Sequence, residues 1–201
     1  LDSWGCNSTN NCGSGSGGFG TPATSYAYYY YQTTTPATGE YVGISIFAPG
    51  VTTLSSSTDT SGVAPAVSTN LNFKFNPNPE WYNSTNKNFA VLLALGKKYT
   101  VNGNACHLQL KQVVTPTSAG SATYSLPLSG FIVAQDCGTG INTVSAALAA
   151  SPNVSQIDFQ GDGGSASVSA NGLTSGANLS VATGGVYPTT IALTGGITFT
   201  P

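Results

Sequence analysis

"LNFKF", residues 71–75, alternates apolar and polar positions, so Leu71, Phe73 and Phe75 fall on one side of an extended chain and Asn72 and Lys74 on the other. A period of two is a strand signal, and it recurs. "CHLQLKQV" sets Cys106, Leu108 and Leu110 against His107, Gln109 and Lys111, which predicts one face in a core and one, carrying His107, in water. From residue 24 onward, short runs of this kind are punctuated by Gly, Pro, Ser and Asn, the rhythm of an all-β sandwich or barrel. Strands are expected over 25–33, 41–47, 70–75, 89–95, 99–101, 105–114, 122–128, 130–135, 155–159, 165–170, 178–182 and 189–199. "INTVSAALAASP" suits a helix as well as a strand, since alanines recur, Asn142 or Thr143 can cap it and Pro152 can stop it. Residues 1–20 carry no such period and read as a disulfide loop followed by a flexible segment, ahead of a single β domain over 21–201.

Composition removes several functions. Charged residues are 6% of the chain, against about 25% in an ordinary domain, and 50 residues are Ser or Thr. Hydroxyls, amides and backbone must therefore wet the surface. The apolar fraction of 40% still allows a core. All five basic residues are lysines and the net charge is -2, so the basic footprint that nucleic acid or an anionic membrane surface requires is missing. The longest apolar run, "FAVLLAL" (89–95), is far short of the roughly 20 residues that cross a bilayer. The chain starts at Leu1 and has no Met, which leads us to expect a leader removed on export. Four cysteines allow three pairings. Zinc would want paired spacings with histidines nearby, and the lone His107 beside Cys106 suits it poorly. Disulfides in an oxidising exterior fit better, with the local pairs Cys6–Cys12 and Cys106–Cys137 expected.

No catalytic, metal or cofactor site is expected. A serine hydrolase needs a base beside its nucleophile, and the one histidine is assigned to a solvated face. Seven acids always offer some pair, so a glycosidase dyad has no specific signal. "DFQGDGG" places Asp158 and Asp162 among glycines but lacks the D-x-D-x-D-G spacing of a calcium loop, and a Gly-rich turn is expected there. Sequons at Asn7, Asn83, Asn153 and Asn178 are as many as chance supplies in a chain so rich in Asn, Ser and Thr. The binding candidate is "NPNPEWYNSTNKN" (76–88), a Pro- and Asn-rich connection carrying Glu80, Trp81, Tyr82 and Asn83. Exposed rings beside amides suit a sugar, whose C–H faces stack and whose hydroxyls hydrogen-bond; the plainer alternative folds Trp81 back onto the core. "SYAYYYYQTTTP" (25–36) is expected to be a strand with Tyr26, Tyr28 and Tyr30 on one face and Ala27, Tyr29 and Tyr31 on the other.

In length, charge depletion, Ser/Thr/Gly/Asn content, strand rhythm and the opening "LDSWGC", the chain resembles the lectin-like receptor-binding domains of bacterial chaperone-usher pilus tip adhesins. The resemblance implies an elongated immunoglobulin-like or jelly-roll β-sandwich with disulfides, on the cell surface, binding a glycan or a host protein. A rival reading is a structural subunit of an extracellular filament, whose partners are neighbouring subunits joined by donated strands. Residues 1–20 lack the alternating apolar positions of a donor strand, but "TTIALTGGITFTP", with Ile191, Leu193, Ile197 and Phe199, could serve.

Overall fold

The computed structural model describes residues 2–4, 26–29, 41–54, 57–58, 60–77, 82, 88–162, 191–194 and 196–201. In chain order the strands are β1 (Asp2–Trp4), β2 (Tyr26–Tyr29), β3 (Tyr41–Phe47), β4 (Asn70–Pro77), β5 (Phe89–Val101), β6 (Asn104–Val114), β7 (Ala122–Pro127), β8 (Ile132–Gln135), β9 (Val154–Asp162), β10 (Ile191–Thr194) and β11 (Thr198–Thr200). One helix, α1 (Val144–Ala150), and a 3-10 turn, Leu128–Gly130, complete the elements of the described residues. The fold is all-β, and among the described residues the strands form two sheets whose pairings are all antiparallel.

The alternating run at 71–75 becomes β4, with Leu71, Phe73 and Phe75 buried and Lys74 exposed. β7 pairs along one edge of β4. The other edge takes the C-terminal run in two pieces, β10 opposite residues 75–77 and β11 opposite residues 70–72, and β10 pairs in turn with β2. The second sheet has the order β1-β3-β9-β5-β6-β8. Aromatic rings of the two sheets meet in one apolar core. Phe73 lies edge-on to Phe159 of β9 at 5.0 Å, Phe75 stacks on Phe89 of β5 at 4.1 Å, and Tyr124 of β7 stacks on Phe73 at 5.3 Å.

β5 joins two expected runs, 89–95 and 99–101, across a register shift between Ala94 and Lys98. Gly96 sits in that shift because a Cβ there would lie 2.6 Å from Thr58 O and 2.7 Å from Ser155 Oγ; only glycine admits the approach. Thr143 caps α1, its side chain accepting from Ala146 N, so the ambiguous 141–152 segment resolves as helix. The Cys106–Cys137 disulfide ties β6 to the loop after β8 across 31 residues, a closure worth about 3–4 kcal/mol in the chain-entropy account. Cys6, Cys12 and the expected strands 165–170 and 178–182 lie outside the described residues.

Two expectations need correction. The segment around Asp158 and Asp162 is not a turn: it is strand β9, paired with β3 and over most of its length with β5. His107 and Lys111 do face away from the aromatic core, but that face is not wet, and they are 6% and 5% exposed. The reason is visible in β5, where Phe89, Val91, Leu93 and Leu95 join the main core while Ala90, Leu92 and Ala94, on the opposite side, are buried as well. Alternation reports which side a residue takes; strands deep inside a sheet can be covered on both.

Candidate functional site

The sequence-predicted binding segment connects the end of β4 at Pro77 to the start of β5 at Phe89. Of its candidates, Tyr82 is described and half-buried, whereas Glu80, Trp81 and Asn83 lie outside the described residues. Thr115 Oγ1 donates to Asn88 Oδ1 at 2.7 Å, tying this connection to the one between β6 and β7. Tyr124, itself in the core, takes a hydrogen bond on its hydroxyl from Thr117 N at 3.0 Å. The first bond joins two neighbouring connections at one end of the sheets, and the second fastens the β6–β7 connection to β7.

The tyrosine run arrives at the same end. Ile191 of β10 is in register with Tyr29 on one side and with Pro77 on the other, so the tyrosine strand and the start of the 78–88 connection stand in one cross-strand row. Strand spacing of about 4.8 Å puts the Tyr29 and Pro77 backbones about 10 Å apart. Tyr30, Tyr31 and the face parity of the run lie outside the described residues. No feature of the sequence announces this meeting, because the residues that create it are numbered 29, 77 and 191.

The opposite end carries different chemistry. Beyond Leu95, β5 and β6 continue as a hairpin that turns at Asn102 and Gly103, both at positive φ, the backbone that an Asn-Gly hairpin turn requires. Lys98 is exposed on it, and Lys97 Nζ sits 5.4 Å from the centre of the Tyr99 ring. At about 3.3 Å per residue, this tip lies roughly 40 Å along β5 from the aromatic end.

Buried titratable residues include His107, Lys111 and Asp158. His107 Nδ1 lies 2.9 Å from Leu95 O; a carbonyl only accepts, so the hydrogen is on Nδ1, and Nε2 is buried without a partner. Asp158 is 7% exposed, and Oδ1 accepts from Ser45 Oγ at 2.6 Å and from Gln156 Nε2 at 2.7 Å. Burial pushes its carboxyl up to about 6 while the two donors pull it back. Asp136, half-buried, is held below the usual carboxylate range by the backbone N–H groups of Gly138 and Gly140. Those bonds shape the loop that presents Cys137 at positive φ. Among the described residues no cluster of three or more His, Cys, Asp or Glu is placed to hold a metal ion, and no helix is long and apolar enough to cross a membrane. Of the sequons, Asn153 is half-buried with its backbone carbonyl accepting from Gly96 N at 2.8 Å; Asn7, Asn83 and Asn178 lie outside the described residues.

Comparison with protein-family models, with curated proteins and with solved structures returns no match to this chain.

Proposed function

We propose that this chain is an extracellular recognition domain, an elongated immunoglobulin-like or jelly-roll sandwich that takes a glycan or a protein receptor at its aromatic end and performs no turnover. The observation that carries this reading is the register of Tyr29, Ile191 and Pro77, which brings the tyrosine strand beside the connection that holds Trp81 and Tyr82. Connections at the end of a rigid β scaffold are where recognition residues collect. Rings with amide neighbours such as Asn88 offer a sugar both stacking and hydrogen bonds. The Cys106–Cys137 disulfide supports an oxidising exterior, and a surface wetted by hydroxyls rather than charge suits display there. The cell-surface, pilus-tip placement rests on the resemblance to tip adhesins.

What weighs against a filament subunit completed by a neighbour's strand is the use the chain makes of its own C-terminal run. β10 and β11 occupy an edge of β4, and Ile197 between them is 2% exposed in the core. The test is an array of neutral and acidic oligosaccharides probed with the whole chain and with Trp81→Ala and Tyr82→Ala. Either change should weaken the retained sugar by more than about 1 kcal/mol, as anchoring aromatics do, with the melting temperature kept. Unchanged binding in both variants, or binding lost only on replacing Lys97 and Lys98, would move the site away from this end.

A further inference from the structure

The buried polar group around Asp158 is unrelated to the aromatic end, and the recognition reading leaves it unused. It lies on the face of the six-stranded sheet that looks away from the aromatic core, in a cross-strand row running Ser45, Asp158, Leu92, Lys111 and Ile132. Its immediate neighbours in the sheet are apolar or uncharged. Ser45 and Gln156 are its hydrogen-bond partners, Leu92 stands beside it on β5, and Ala90 and Ala94 flank Leu92 at 0% exposure. Gln156 Nε2 also lies 3.2 Å from Ser45 Oγ, which closes a triangle. Both donors converge on one carboxylate oxygen, Oδ1.

We propose that the Ser45–Asp158–Gln156 triangle is an acid lock: the sheet is built around the protonated carboxyl, so the fold is most stable in acidic surroundings and loosens as the medium approaches neutrality. An ionised carboxylate in so dry a place needs a compensating cation or more donors. Among the described residues the other ionisable positions on this side of the sheet are few, and Asp162 is in register with Tyr41 four residues farther along β9 and β3. β3 and β5 present none between residues 43–47 and 90–94. β6 presents Lys111, with Leu92 between it and Asp158, and His107, held to Leu95 O. Asp2 of β1 is in register with Ser45. Burial draws Lys111 below the usual lysine range, the direction opposite to the one a tight pair with Asp158 would impose.

The sign follows from linkage. A carboxyl whose value rises from 3.8 to about 6 on folding binds its proton more tightly in the folded chain. The stability this contributes is full below about 4 and is lost as pH rises through about 6. Between pH 4 and pH 7 the unfolding equilibrium constant of the whole chain should increase on the order of 50-fold. Urea unfolding across that range, on wild type and on Asp158→Asn, tests it, since the amide mimics the neutral acid and leaves His107 and Lys111 in place. A steep wild-type dependence that the variant flattens is the expected result. A flat wild type, stability that grows toward neutrality, or a variant that keeps the slope would each overturn the lock. Should Asp158→Asn fail to fold, a carbon-detected carboxyl titration of the wild type decides instead: a midpoint near 6 upholds the proposal and one near 4 overturns it.

Discussion

Replacing Gly96 with alanine is the sharpest test of how β5 is held. The added Cβ would lie 2.6 Å from Thr58 O, 2.7 Å from Ser155 Oγ and 2.9 Å from Ser61 O. Two of those three atoms belong to the backbone and cannot swing aside. The same glycine donates its N–H to Asn153 O at 2.8 Å and accepts at its carbonyl from Ser57 Oγ at 3.0 Å, while Ser155 Oγ donates to Ser61 O at 2.7 Å. Relieving the clash must move the 57–61 segment away from β5 and stretch those bonds. Overpacking costs about 1–3 kcal/mol, and each weakened hydrogen bond about 1 kcal/mol more, so we expect a loss of about 2–4 kcal/mol. For a chain of this size that is a fall in melting temperature on the order of 10 °C. Gly130→Ala is the matched control, because a Cβ there first meets the side chain of Gln112 at 3.4 Å, which can shift, and it should stay within about 1 kcal/mol of wild type. Urea unfolding followed by near-ultraviolet circular dichroism reads both. Equal stability of the two variants would refute the close approach of the 57–61 segment to the β5 register shift.

Phe73→Ala removes a ring that touches Phe89, Tyr124 and Phe159 from both sheets and should cost about 3–5 kcal/mol in the same assay; a loss under about 1 kcal/mol would mean the sheets do not share that core. Non-reducing peptide mapping should recover a Cys106–Cys137 cross-link, and replacing both cysteines by alanine should lower stability by about 3–4 kcal/mol; a free thiol at either position contradicts the loop assignment. Thr143→Ala removes the bond to Ala146 N at 3.2 Å and should cost about 1 kcal/mol; no change would show that the cap does not support α1.

Strand positions were the most legible part of the sequence. Tyr41–Phe47 is β3 as expected, and the alternations in β4 and β6 place Phe73, Phe75, Leu108 and Leu110 in the core. What alternation could not supply was the fate of the second face. "FAVLLAL" is apolar at both parities, and that was the available signal that neighbouring strands, with His107, Lys111 and Asp158, would be buried on both sides. Glycines at 161, 163 and 164 suggested a turn after Asp158, but pairing of Gly161 with Val42 extends the strand instead; tertiary pairing outweighs local propensity. The cysteine pair at 106 and 137 was readable from spacing, since a local loop is the least costly to close. The meeting of Tyr29 with Pro77 was not readable, because it depends on a third strand more than 100 residues later in the chain. Of the binding segment itself, Tyr82 and the flanking Asn76, Pro77 and Asn88 are described, and they locate the candidate end.

Amide chemical-shift mapping on the whole chain, with the first oligosaccharide retained on the array as the probe, addresses the proposed recognition end most directly. The proposal predicts saturable shifts at Tyr29, Tyr82, Asn88 and Thr115, which belong to the end where the tyrosine strand and the aromatic connection converge. Shifts confined to Lys97–Ala105, at the far tip of the β5–β6 hairpin, would contradict it.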